Sequence, residues 1–283
     1  MNIKKNVFGM AIAVFVILAC GGIAPTPAPD VNAIVTQTLQ ALTAESTNSQ
    51  AEPQQLTPDG TPVETAEISF FIPNGVANDA ASVMNTNVEY PYINPSAGDM
   101  PLHPTIRLNL YALNATIFDP HIMIFRTSEY SQYSELTAGI ISSLQSLQYT
   151  DGQPLDPNLD GPTYTAQIHT INFKNGHGIR YLTQVGQAPA PANNEEMFYY
   201  FQGLTSDGQY YVQAILPINA SYLPANGNPN TPLPADGIPF NLDDIPGYFT
   251  AITQKLNTTE TFGFNPYLDA LDEMIESIQI KGF

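Results

Sequence analysis

The chain has 283 residues, 43% of them hydrophobic, with 8 Lys and Arg against 26 Asp and Glu and a net charge of −18. That balance excludes a nucleic-acid binder, which needs a basic patch to neutralise phosphates, and a single cysteine excludes an internal disulfide framework or a thiolate-rich metal site. The hydrophobic content suits a packed body, while charged residues, at 12%, stand at about half the usual share, so Asn, Gln, Ser, Thr and Tyr must carry the solubility.

Lys4 and Lys5 form a short basic segment ahead of Val7 to Ala19, a stretch without charge. It is shorter than the ~20 residues needed to span a bilayer and fits the apolar region of a signal peptide. Ile17-Leu18-Ala19-Cys20-Gly21 then resembles the lipobox of bacterial lipoproteins. The resemblance implies that residues 1–19 are a signal peptide and that Cys20 becomes the lipidated N-terminus, carrying acyl chains such as palmitate. The protein is then extracytoplasmic and held to a bacterial cell membrane by that lipid. Several acyl chains at ~0.8 kcal/mol per buried CH₂ are enough for stable anchoring. Ile17 stands where Leu is commoner, and Gly21 gives no retention signal, which leaves the membrane leaflet open. An ordinary secretory signal that happens to end in cysteine is the alternative.

Residues 20–65 read as a lipidated flexible linker. Pro25, Pro27 and Pro29 open it, and Gln, Glu, Ser, Thr and Pro dominate from Glu45 to Glu64. Between them Val31, Ile34, Val35, Leu39 and Leu42 recur at helical spacing behind Asp30, a candidate N-cap. A helix this short is marginal alone; it stiffens the stalk or docks a partner. A coil of this length spans about 35–40 Å, so the domain expected over residues 66–283 can sit clear of the membrane.

In that domain Ile68, Phe70 and Ile72 alternate as a strand, as do Ile106, Leu108 and Leu110, and Ile122 and Ile124 mark a third. A helix is predicted from Ser128, with Tyr133, Leu136, Ile140, Leu144 and Leu147 on one face. Strands at 166–174 and 178–187 flank Asn175-Gly176-His177-Gly178, a hairpin signal because Asn and Gly tolerate positive φ. A second hairpin pairs Met197 to Leu204 with Gln209 to Leu216 around Ser206-Asp207-Gly208. Residues 217–241, rich in Pro, Asn and Gly, read as a surface excursion. Helices at about 242–257 and 266–276 and a strand at 277–280 close the chain. The fold class is α+β, a mostly antiparallel open sheet with helices packed on its faces.

The final run Leu268-Asp269-Ala270-Leu271-Asp272-Glu273-Met274-Ile275-Glu276-Ser277-Ile278-Gln279-Ile280, following antiparallel strands with Tyr-rich turns, resembles the ending of PsbP-like α/β/α sandwich domains. The match covers about residues 165–283. It implies a noncatalytic, partner-binding domain and transfers no active-site residue.

No Gly-x-Ser-x-Gly and no phosphate-binding glycine loop is present, and no cofactor is implied. His103, His121, His169 and His177 form no pair at metal-binding spacing; His169, mid-strand, either faces a pocket or meets solvent. Asp156, Asn158 and Asp160 with Gly161 match the start of a calcium loop, but its twelfth position is Gln167 rather than a bidentate Glu, and a polar surface turn explains the same residues. Tyr199, Tyr200, Tyr210 and Tyr211 lie on paired strands. Outward rings would form a platform for a protein, peptide or glycan, whereas a sheet covered on both faces would bury them. Asp243-Asp244 and Asp269 to Glu276 read as helix-start charges and a solvated helix face. These features favour a tethered binding module with a protein, peptide or glycan partner. The alternative is an envelope hydrolase in which carboxylates from among Asp151, Asp156 and Asp160 converge with His169, with the spacing that glycoside hydrolysis needs.

Overall fold

The structure is a computed structural model, and it describes residues 59–86, 99–146, 162–186 and 188–283. Alternation decides the first elements. Strand β1 (Gly60–Glu64) pairs antiparallel with β2 (Ile68–Pro73), and Ile68, Phe70 and Ile72 of β2 point into the core. β1 lies in the stretch assigned above to the linker. Its Pro62 disguised it, because Pro is tolerated on an edge strand where its missing N–H faces solvent; Val63 is nevertheless buried. The strand β3 (Asp79–Asn85) was also unforeseen, since its residues are small and polar and mostly exposed.

β3 forms one edge of a seven-stranded sheet with β4 (His103–Asn109), β5 (His121–Arg126), β6 (Pro162–Phe173), β7 (Gly176–Val185), β8 (Phe198–Thr205) and β9 (Tyr210–Pro217). The order is β3-β4-β5-β9-β8-β7-β6 and every pairing is antiparallel. The fold is therefore α+β with a large open antiparallel sheet. Leu110, expected to extend β4 inward, lies beyond its end at φ +50° and is 77% exposed. The β6–β7 turn consists of Lys174 and Asn175, slightly earlier than expected, because Phe173 pairs with Gly176. Asn175 earns its place by its side chain: the amide donates to the Ile280 carbonyl at 2.8 Å and accepts from the Ile280 N–H at 3.0 Å. It thereby holds β12 (Gln279–Ile280), the third strand of the small sheet β1-β2-β12.

The single helix predicted from Ser128 is two, α1 (Thr127–Tyr133) and α2 (Glu135–Ser146). Ser134 breaks it with extended backbone and caps the second half. Its hydroxyl accepts from the Thr137 N–H at 3.1 Å, and Thr137 Oγ1 accepts from the Ser134 N–H at 3.0 Å, a reciprocal cap that satisfies two orphan donors. Leu147 lies outside the described residues. Helix α3 (Ile245–Thr258) starts a little later than expected, where Asp244, read above as a helix-start charge, accepts from the Gly247 N–H at 3.0 Å and caps it. It buries Tyr248, Ile252 and Leu256 at i, i+4 and i+8. Helix α4 (Leu268–Glu276) buries Leu268, Leu271, Met274 and Ile275. The short strands β10 (Asn219–Ala220) and β11 (Phe264–Asn265) pair with each other.

Helices α3 and α4 and the small sheet share one core with Tyr199, Phe201, Val212, Ala214 and Leu216 on one sheet face. On the other face α1 and α2 pack with Phe125, Leu204 and Tyr211. β8 and β9 are thus covered on both sides, and every residue of β8 is buried. Burial of each large side chain contributes about 1.5–3 kcal/mol. The β6 edge is closed by a bulge between Ala166 and His169. Gln167 sits there at φ +53°. Its N–H donates to Asn257 Oδ1 at 2.6 Å and its amide donates to the Leu256 and Thr259 carbonyls at 2.8 and 2.9 Å, so one strained residue caps the end of α3.

Candidate ligand-binding groove

The tyrosine platform is corrected by the sheet's two covered faces. Tyr199 lies under α4, where its hydroxyl donates to Asp272 Oδ1 at 2.9 Å. Tyr200 and Tyr211 lie on the opposite face and are fully buried. Gln213 donates to the Tyr200 hydroxyl, and Tyr211 donates to Gln202 Oε1 at 3.2 Å. The three hydroxyls thus find partners in Asp272, Gln213 and Gln202 within the interior, and burial raises the pKa of Tyr199, Tyr200 and Tyr211, keeping them neutral. Tyr210 is half-buried, packs its ring against Phe283 and accepts from the Phe283 N–H at 3.3 Å.

The acidic run of α4 is solvated only in part. Asp269, Glu273 and Glu276 are exposed, but Asp272 turns inward and receives Arg180 through Nε at 3.0 Å and Nη2 at 2.9 Å. Arg180 Nη1 also donates to the Gln167 carbonyl. This ion pair fastens α4 to β7 and to the bulge.

His169 is exposed on β6. His103 and His121 are buried, each with Nδ1 against a backbone carbonyl two residues earlier, at 2.8 and 2.7 Å. Desolvation holds both below the usual histidine value, His121 down to about 4. Cys20, Asp151 and the calcium candidates Asp156, Asn158 and Asp160 lie outside the described residues. Among the described residues no three His, Cys, Asp or Glu side chains gather as a metal site.

Three recesses of the surface lie elsewhere, two of them bordered by α3. The segment 188–197 crosses between β7 and β8 and is pinned by amides. Asn193 Oδ1 accepts from the Glu195 and Glu196 N–H groups, both at 3.1 Å, and the Glu196 carboxylate accepts from Gln184 at 2.7 Å and Asn193 at 2.9 Å. The Ala192 N–H donates to the Tyr248 hydroxyl at 3.0 Å, tying the segment to α3. Beside it, Thr163, Gln184, Val185 and Glu196 border a recess of about 430 Å³. On the far side of Thr163 a groove of about 550 Å³ runs between β6 and α3, lined by Tyr164, Phe249, Thr250, Thr253, Gln254 and Asn257 among others. A third cleft, about 320 Å³, is walled by prolines of the 217–241 excursion with Leu233, Phe240, Leu242 and Tyr248. Glu196 is the one acidic or basic side chain lining these three recesses.

In the β6–α3 groove Tyr164 is 6% exposed and stacks with the half-buried Phe249, ring centroids 6.1 Å apart. Burial, with Tyr248, Tyr222 and Glu196 nearby, raises the Tyr164 pKa well above the usual phenol value, and its hydroxyl is buried without a hydrogen-bond partner. The side chains of Thr163, Thr253 and Gln254 make no hydrogen bond to described residues, while Asn257 spends its oxygen on Gln167 and keeps its NH₂. Such a surface offers apolar area with neutral donors and acceptors.

Nothing in the sequence analysis above points to this groove. Its one legible signal was the stripe Thr250, Thr253, Gln254, Asn257 and Thr258, at i, i+3, i+4, i+7 and i+8 of α3. A surface helix normally carries charge on that face, and hydroxyls and amides there are the departure. No protein-family model, curated protein or solved structure matches the chain.

Proposed function

We propose that the protein is a membrane-tethered binding module of the bacterial cell envelope, anchored by lipid on Cys20 and engaging its partner at the β6–α3 groove. The observation that carries the reading is the groove itself, where the Tyr164 and Phe249 rings lie among Thr163, Thr253 and Gln254 side chains that do no work in the fold. The signal-like segment and lipobox-like Ile17 to Gly21 support the tether. Rings committed to the interior remove the Tyr199–Tyr211 platform from this proposal.

Two measurements test it. Cys20→Ala should release the protein from the detergent phase, and a variant that still partitions there would sink the anchor. A photo-crosslinking side chain at Gln254, activated in intact cells, should capture a discrete envelope partner that the same group at exposed Glu129, on α1, does not. Capture of background alone at both positions would remove the binding reading.

A further inference from the structure

The groove's chemistry narrows the class of partner. Its nine lining residues include none with a charged side chain, in a chain of net charge −18. The nearest cation on the helix, Lys255, is directed elsewhere: it donates to the Asp236 carbonyl and lies 4.3 Å from the centroid of the Tyr222 ring. A phosphate, carboxylate or acidic peptide would therefore meet no countercharge, and a basic partner no carboxylate. Strand addition by an extended peptide is closed at this edge as well, because β6 is bulged and the Gln167 N–H is already bonded to Asn257. What is left unspent is a set of groups that donate and accept: Thr163, Thr253, the Gln254 amide and the Asn257 NH₂. They lie beside the Phe249 ring. From Thr250 to Asn257 the wall runs about 10 Å at the helical rise, the length of a disaccharide.

We infer that the β6–α3 groove takes a neutral oligosaccharide, with a pyranose face against Phe249 and sugar hydroxyls on the Thr253, Gln254 and Asn257 side chains. Sugar hydroxyls are both donors and acceptors and match such groups, and the apolar C–H face of a pyranose suits an aromatic ring. This inference rests on the binding reading above and gives it a ligand class.

The test uses the purified full-length protein and saturation-transfer NMR against cellohexaose, chitohexaose, mannohexaose and maltohexaose, with oligogalacturonate as the charged counterpart. At least one neutral hexaose should bind with a millimolar or tighter dissociation constant and oligogalacturonate should not. Loss of the ring in Phe249→Ala should weaken binding about tenfold. Because Phe249 also packs on the core, Thr253→Ala and Gln254→Ala serve as the variants that leave thermal unfolding unchanged, and each should weaken binding severalfold. Binding of none of the neutral hexaoses, or binding indifferent to Thr253→Ala and Gln254→Ala, overturns the inference. If no hexaose binds yet the Gln254 crosslinker captures a discrete protein, the ligand class is wrong while the binding reading stands; if neither occurs, both fall.

Discussion

Removing the carboxylate of Asp272 should cost more than removing any exposed charge of the molecule. The Arg180 and Asp272 side chains are 5% and 16% exposed, and the carboxylate also accepts from Tyr199. In Asp272→Leu the guanidinium stays buried with only the Gln167 carbonyl, and the Tyr199 hydroxyl loses its acceptor. Breaking a buried pair from one side costs about 3–5 kcal/mol, a large part of the ~5–15 kcal/mol that holds a domain folded. At roughly 2–4 °C per kcal/mol for a domain of this size, the melting temperature should fall by about 6–20 °C. The double variant Arg180→Met with Asp272→Leu removes both charges and should lie within about 2 kcal/mol of wild type, since apolar replacement of a buried pair is often neutral or stabilising. Urea unfolding followed by circular dichroism measures the cycle, the chain having no tryptophan. The coupling should exceed the ~0.5 kcal/mol scatter of independent sites. An Asp272→Leu cost below about 1 kcal/mol, or single costs that simply add in the double variant, would refute the reasoning.

Buried His121 should make stability depend on pH. Desolvation, helped by Arg107 and His103 and opposed by the Asp119 carbonyl and carboxylate, lowers its pKa from 6.5 to about 4. The unfolded chain therefore binds a proton first, so stability is full above pH 6.5 and is lost as pH falls toward 4, by about 3 kcal/mol at ~1.4 kcal/mol per pH unit. His121→Gln should reduce that slope between pH 6.5 and 4, His103, also lowered by burial, carrying part of the remainder; an unchanged slope would assign it to other groups. Gln167→Ala removes the side-chain donor of the Thr259 carbonyl and leaves the Leu256 carbonyl with the Thr259 N–H alone, and should cost about 1–2 kcal/mol by urea unfolding; no loss would mean that water caps α3 equally well. Asn175→Ala should raise amide exchange at Ile280 without unfolding the large sheet, because its two bonds fasten only β12.

What the sequence determined by itself is whatever rests on local periodicity and turn chemistry. The alternation of Ile68, Phe70 and Ile72, the Asp207-Gly208 turn with Gly208 at φ +70°, the helix-start charges Asp243-Asp244 and the helical spacing of Ile140 and Leu144 are fixed within a few residues of chain. They gave α+β and its antiparallel hairpins. The tertiary structure decided everything that depends on what covers a face. Tyr199 and Tyr200 look alike in sequence, yet whether a ring on either face of β8 meets solvent depends on helices forty-five or more residues away, and here both faces are covered. Asp272 is likewise one acidic residue among several on α4 until Arg180 stands opposite it. The groove is the same kind of fact: Tyr164 and Phe249 stand 85 positions apart, and their meeting is set by the β6 bulge and the Gln167 cap on α3, which no local spacing encodes.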